Sequence, residues 1–534
     1  MSLSDLPPLT LGLAGLTTAL IAVRWFSHKY PDIHPVALYH QSSISPVRQP
    51  DESAVHRSVV TPFTYPLITG LDIRDGETYR DGDVRDVWTL AKKGDVTVID
   101  ASGKTIMQYD ELETKLAPLA AALASYSPQS LSKVALYLPN SLANFLLSFA
   151  CATYGIATVL LPLLSDMSDL SKHLEATQPE IFVYVVGTVD FTKLILPASV
   201  SAVVLVPANF TLSSTNSTDK DVTEWTQQLK KSLGTVQVHT FFEMLESTAV
   251  PPIVESDKLK FTRMPVFVVS YATSQGNIET RSFHHRHLVS AVAAQMRAIP
   301  QHEKLQASDV VVPLDSWHEL YNRIMLLTAM ASGSHIAICG TSGGGGYDLD
   351  LLKRVDPTVI IASVRTVKQI CELKSSLFTS FKLMRAYGFQ AQGNLSTPII
   401  KSYPHLRIIY THENQPPSLD KSAAPTSAET SLTSRDLIHV RAMLGARVVY
   451  ALTHPKIAGA LCQTHLLDYR DLGNVRLFGP VLPCLEAMVR DIETLKGGNR
   501  QGGLFVRGPA ATGPDWIDTG IVGEWGEDGC FREL

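Results

Sequence analysis

A series of short apolar runs constrains the fold of this chain more than any other feature. They read KVALYL from Lys133, ATVLL from Ala157, IFVYVV from Ile181, AVVLV from Ala202, VFVVS from Val266, HIAIC from His335, TVIIA from Thr358 and LRIIY from Leu406. Each has the length of a strand buried on both faces, and most are separated by stretches with apolar residues at helical spacing. The clearest helices are Tyr109 to Leu123, with Leu112, Leu116, Leu119 and Leu123 on one face, and Leu142 to Gly155, led in by the turn Pro139-Asn140-Ser141. Strands that alternate with helices pair in parallel through right-handed crossovers, so the expected class is α/β.

With 534 residues the chain exceeds the usual ceiling for one core. The pattern divides into a first α/β subdomain over 66–250, a second over 251–435 and a small β-rich one over 436–534. The last contains GGLFVRGP (Gly502 to Pro509), a strand leaving a Gly turn. The Ser/Thr-rich stretch Thr211 to Thr218 breaks the alternation, and Pro416 to Ser434 reads as a low-complexity surface loop. Residues 31–65, rich in Pro, Ser and His, suit a tether, and 1–30 a membrane anchor. Leu6 to Val23 is uncharged and about long enough to cross a bilayer core. Asp5 precedes it and Arg24, His28 and Lys29 follow it. That flank orients a single-pass helix with the body in the cytosol and Trp25 and Tyr30 near the headgroups. A hairpin insertion is a second possibility, and a cleaved signal peptide a third, although signal peptides carry their positive charge before the apolar run.

The net charge of −5, with no block of Lys or Arg, excludes nucleic acid as a partner. The six cysteines (Cys151, Cys339, Cys371, Cys462, Cys484, Cys530) form no metal-binding spacing and read as free, buried thiols of a reducing compartment. Sequons at Asn209, Asn216 and Asn394 carry little weight, since such triplets arise by chance.

The stretch SYATSQGNIETRSFHHRHL, Ser270 to Leu288, resembles the phosphate loop YTSGTTGxPKGVxxTHRNL of the adenylate-forming superfamily. It keeps Gly276, the hydroxyls of Thr273 and Ser274, and the closing His285, Arg286 and Leu288. Four further segments follow the family in order. They are Ser132 to Leu163; VVPLDSWHEL (Val311 to Leu320), with Trp317 and His318 at the aromatic and His positions of the acyl-site entrance; ARVVYALTH (Ala446 to His454), similar to "YGxTE"; and DTGIVGEWGEDGCF (Asp518 to Phe531), similar to "TGDxGxxDxDG". The resemblance covers nearly all of Tyr109 to Phe531. It implies an adenylate-forming-enzyme-like large domain of two α/β sheet subdomains plus a small β subdomain. It also implies chemistry that joins a carboxylic acid to coenzyme A through an acyl-adenylate, using ATP and Mg2+.

Four family groups are replaced. Glu279 stands at the phosphate-loop Lys, and a like-charge contact at about 4 Å costs about 4 kcal/mol at an effective dielectric of 20. His454 stands at the Mg2+-binding Glu, although hard cations prefer oxygen ligands. Ile521 stands at the ribose-binding Asp and cannot accept a hydrogen bond. The C-terminal lid with its Lys is expected to be absent. The resemblance leaves Thr273, Ser274, Gly276, Arg281, Tyr450 and Thr453 as nucleotide-side candidates and Trp317 and His318 as substrate-side ones, with no catalytic and no metal-ligating residue assigned.

Bland readings stand beside these. Gly343 to Gly346 is a flexible turn rather than a phosphate loop, because no Lys-Ser/Thr follows it. His284, His285 and His287 read as a solvated helix start, Asp315 and Glu319 as a solvated face, and His318 either as a packed residue or as a neighbour of the acyl tunnel. The expectation is a membrane-anchored, catalytically impaired relative of the acyl-CoA synthetases with a lipid-linked binding or regulatory role, at the endoplasmic reticulum or a lipid droplet. Its partners would be membrane lipid, a fatty acid or an intact acyl-CoA synthetase. The alternative is an active long-chain fatty acid:CoA ligase using ATP, Mg2+ and coenzyme A, with Arg281 in place of the Lys and a lid supplied by another chain.

Overall fold

The computed structural model describes residues 12, 13, 15–18, 30–100, 105–126, 132–164, 166–207, 220–232, 234, 236–249, 258–273, 276–338, 349–372, 377–414, 431–494 and 500–533. Three large sheets organise them. The first runs in the spatial order Gln237–Thr240, Ala202–Val206, Ile181–Val185, Lys133–Tyr137, Ala157–Leu160, Pro265–Ala272, Ile278–His284, parallel except at the last strand. Its centre consists of the apolar runs read from the sequence, and the strands Ile181–Val185 and Ala202–Val206 are buried along their whole length. Beside it the helix Leu142–Thr153, capped by the Ser141 side chain, is buried at every position but its last. A helix with apolar residues on every face goes to the interior, and its polar Asn144 and Ser148 find partners there.

The second sheet runs Ala460–Gln463, Arg447–Thr453, Ile408–Asn414, Val359–Ser363, Val310–Pro313, His335–Ile338, Thr97–Asp100, Thr105–Gln108, with antiparallel strands only at its two edges. The two sheets exchange chain across the boundary expected at 250. Pro265–Ala272 and Ile278–His284 complete the first sheet, while Thr97–Asp100 and Thr105–Gln108 extend the second. An edge strand takes the partner that the tertiary arrangement offers, and local pattern does not encode that choice.

The third sheet is antiparallel, in the order Ser42–Ile44, His56–Ser58, Glu486–Thr494, Arg500–Arg507, Ile517–Trp525, Phe531–Glu533, Arg476–Gly479. Its first two strands come from the stretch expected to be a tether. They are three residues long and mostly polar, too short for any periodicity to register. Long-range contacts hold them: Arg57 pairs with Glu486 at 2.7 Å, Arg490 with Glu52 at 2.7 Å, and His56 stacks on Trp525 with ring centroids 4.0 Å apart.

Two thirds of the apolar run Leu6 to Val23 falls outside the described residues, and among those described no helix is long and apolar enough to cross a membrane. Thr211 to Thr218, Gly343 to Gly346, 415–430, Cys339, Asn209 and Asn216 also lie outside them. Asn394 is buried. The five described cysteines are buried and free, and burial pushes the Cys151 and Cys484 thiols up to about 12.

Candidate functional site

The stretch that resembles a phosphate loop is the tip of a β-hairpin. Thr273 N–H donates to the Asn277 carbonyl at 2.8 Å and Gly276 N–H to the Thr273 carbonyl at 2.9 Å, with Gly276 at φ +77°. A three-residue turn ending in a left-handed Gly is a standard way to close such a hairpin. Ser274 lies outside the described residues. Down the hairpin Glu279 sits opposite Tyr271 and two residues from Arg281 on the same face. Its carboxylate accepts from Tyr271 Oη at 2.8 Å and Arg281 Nη2 at 3.2 Å. Arg281 therefore neutralises Glu279. Burial, then the hydrogen bond to Glu279, pushes the Tyr271 phenol up to about 12.

The hairpin strand Ile278–His284 feeds the helix His285–Ala298. The expected solvated start of that helix is instead packed: His285 and His287 are 0% and 3% exposed. His285 Nδ1 accepts from Val84 N–H at 3.3 Å and its ring lies 4.4 Å from Phe261, while His287 Nδ1 caps His284 N–H at 3.2 Å. Burial lowers both imidazoles to about 3, so both are neutral. Among the described residues no cluster of His, Cys, Asp or Glu is arranged to hold a metal.

The segment carrying Trp317 and His318 is clamped between the two α/β units. Asn140, at the end of a first-sheet strand, accepts from Trp317 N–H at 2.9 Å and donates to the Asp315 carbonyl at 2.8 Å. Arg323, on the helix Leu320–Ala331, donates to the Trp317 carbonyl at 2.7 Å, Ser148 Oγ at 2.6 Å and Asn144 Oδ1 at 2.8 Å. It is 4% exposed, and burial pushes it down to about 9. Trp317 is 0% exposed. His318 is partly exposed, and burial lowers its imidazole.

Asp315 and Glu319 do not form a solvated face. Asp315, 8% exposed, accepts from Ser363 N–H and from Thr366 Oγ1 at 2.9 Å, at the start of the helix Val364–Cys371. Glu319 pairs with His412 at 2.5 Å. Burial alone would raise the Glu319 carboxyl, but His412 holds it down at about 2; in turn Glu319 raises His412 against burial. The ring of Tyr321 lies 4.7 Å from that of His412. Around this pair Ser316 Oγ, Trp317 Nε1, His318 Nδ1, Tyr321 Oη, Asn322 Oδ1, Thr411 Oγ1 and His412 Nδ1 are buried without a protein partner. Each such group is costly unless something polar meets it, which marks the junction as a polar recess.

On the nucleotide side Tyr450 is 0% exposed. Its hydroxyl donates to Glu413 and accepts from Leu432 N–H at 3.2 Å, and its ring stacks on Phe478 at 5.2 Å. Arg476 pairs with the other oxygen of Glu413, and Thr453 Oγ1 donates to the Glu413 carbonyl at 3.0 Å. His454 is 2% exposed, its Nδ1 accepting from Lys456 N–H at 3.2 Å, and burial lowers it to about 3. Ile521 is buried. A closed tyrosine face, a carboxylate on the phosphate hairpin, a neutral imidazole and a methyl group do not fit MgATP.

The helix Leu320–Ala331 and the strand Ile408–Asn414, which carry much of the polar recess, also border a cavity of about 270 Å3, lined by none of the recess groups. Met325, Thr328 and Ser332 line it at spacings of four, seven and eleven residues from Tyr321, one face of a helix. Tyr410 joins them from the strand Ile408–Asn414, two residues before His412 and on the same side. Met296, Ile299 and Leu305 supply apolar wall and Gln295 a buried amide.

Sequence reasoning read Glu319 as surface charge and passed over His412, Glu413, Arg323 and Gln295. Two signals were available. His412 and Glu413 follow an apolar strand at its carboxyl end, where open α/β sheets place their ligands. Gln295 continues the apolar stripe Leu288–Val292 of its helix, a polar residue on a core face.

A family model described as AMP-binding enzyme matches residues 87–259. The uncharacterised protein YHR045W of Saccharomyces cerevisiae is 25% identical over 568 residues, covering 94% of this chain and 93% of its own length. The long-chain-fatty-acid-CoA ligase of Archaeoglobus fulgidus superposes with a TM-score of 0.57 at 12% identity, covering 87% of this chain and 86% of the other. The luciferase-like enzyme of the nonluminescent mealworm Zophobas morio gives 0.56 at 15% identity, with 87% and 97% covered. ATP-bound MatB from Rhodopseudomonas palustris gives 0.56 at 13%, with 84% and 78% covered. The chain has the α/β fold of the adenylate-forming superfamily and resembles its fatty acid:CoA ligases.

Proposed function

We propose that this chain uses an adenylate-forming fold to bind an acyl-type carboxylic acid at a membrane surface and does not run the ATP-dependent ligase reaction. The observation that carries the reading is the pairing of Tyr450 with Glu413. It leaves the aromatic expected beside the purine with no exposed face. The Glu279–Arg281 pair supports it, because the cation that could have met a phosphate is already engaged. The 270 Å3 cavity supports the acid-binding half: it offers apolar wall together with the unpartnered amide of Gln295.

The decisive test is calorimetry with MgATP and with octanoic and palmitic acids on residues 31–534, with pyrophosphate release followed in the same sample. The expected result is saturable binding of octanoic acid, no heat with MgATP and no pyrophosphate with either acid. Pyrophosphate release would overturn the reading in favour of an active fatty acid:CoA ligase. The run Leu6 to Val23 with its basic flank is proposed to hold the body on the cytosolic side of the endoplasmic reticulum or a lipid droplet. Removal of residues 2–30 from a fluorescent fusion should then disperse it, and an unchanged distribution would refute the anchor.

A further inference from the structure

Gln295 is the one side chain lining the 270 Å3 cavity whose polar atoms are all buried and unpartnered. It is 2% exposed, and neither Nε2 nor Oε1 has a hydrogen bond. An amide buried this way costs about 1–3 kcal/mol per unmet group, a penalty that a leucine at the same position would avoid. The cost is offset if a guest in the cavity supplies both a donor and an acceptor, and a hydroxyl is the smallest group that does. The rest of the wall is mostly apolar, with Met296, Ile299, Leu305, Met325, Ala331 and the Tyr410 ring beside the hydroxyls of Ser332 and of Thr328, the latter already donating to the Ile324 carbonyl, so the body of the guest is aliphatic. Lys304 also lines the cavity, is only partly buried, and has no ion-pair partner among the described residues, which suits it to an anionic head. The volume equals about nine waters, and so a chain of about that many non-hydrogen atoms.

We propose that this cavity selects a medium-chain carboxylic acid bearing a hydroxyl on its chain, with Lys304 taking the carboxylate and Gln295 reading the hydroxyl. The proposal rests on the acid-binding reading and specifies its substrate class. A site built around a hydrogen bond rejects the analogue that lacks the partner more strongly than an apolar pocket rejects one methylene.

The test is calorimetric titration of the full chain with octanoic acid and with 8-hydroxyoctanoic acid, alongside palmitic acid. The hydroxy acid should bind at least tenfold tighter than octanoic acid, and Gln295→Leu should abolish that preference while still binding octanoic acid. Met325→Trp, which fills the cavity from another wall, should abolish binding of both short acids and guards against a misfolded Gln295 variant. Equal affinities in the unmodified protein, or a preference that survives Gln295→Leu, would overturn the selectivity and leave acid binding standing. Failure of all three acids to bind folded protein would overturn both.

Discussion

The phenol of Tyr450 donates to the carboxylate of Glu413 on the neighbouring parallel strand, and Arg476 meets the other oxygen of that carboxylate. The three side chains form a buried, charge-assisted chain where the family resemblance implied an adenine. Tyr450→Phe removes a hydrogen bond to a charged acceptor and leaves Leu432 N–H without its partner. Stability should fall by about 1.5–3 kcal/mol, read from the urea midpoint, with an unchanged m-value.

Glu279→Lys tests how much of the lost nucleotide site is one charge. The pair with Arg281 is about two-fifths exposed on both sides, so solvent screens it strongly. Reversing the charge frees Arg281 and adds a second cation, and pyrophosphate affinity should rise about tenfold in calorimetry. MgATP should still give no pyrophosphate release with palmitic acid, since Tyr450 and His454 are untouched.

Arg323 links two α/β units without a carboxylate partner among the described residues. Arg323→Leu would strand the Trp317 carbonyl, Ser148 Oγ and Asn144 Oδ1 in the interior. The expected loss is about 3–5 kcal/mol, at the diagnostic end of single-residue effects. Arg323→Lys, which can satisfy only part of the set, should fall between the two in a thermal melt.

Acid should destabilise the fold through its buried imidazoles. Burial lowers His56, His285, His287 and His454 to about 3. The unfolded chain therefore takes up these protons first. Their neutral forms are fully tolerated above about pH 6.5, and stability is lost progressively as the pH falls from there toward 3. His56→Phe keeps the stack on Trp525 and removes one titrating group. Its stability should fall less steeply over that window, by about 1.4 kcal/mol per pH unit, in urea titrations at successive pH values.

The parallel strands were legible because they are buried on both faces: IFVYVV and AVVLV have no polar residue to mislead a reader, and both strands form. The strands Ser42–Ile44 and His56–Ser58 were not, because a few polar residues become strand only when a distant partner offers its edge. In the candidate site the positions of Glu279, Tyr450 and His454 followed from motif spacing. What they do did not, since Glu279 is spoken for by Tyr271 and Arg281, and Tyr450 by Glu413. Asp315 and Glu319 look like surface charge in a polar stretch, and only the arrival of Ser363, Thr366 and His412 from other strands and helices turns them inward.

The third sheet carries a consequence for how the chain is made. His56 pairs with Ala487, more than four hundred residues later. At 5–20 residues per second the partner strand leaves the ribosome roughly 20 to 90 s after the strand that waits for it. Throughout that interval the N-terminal strands have an open edge. These two strands are therefore seated long after they are synthesised, and a chaperone that protects this fold would have to cover their open edge on the nascent chain.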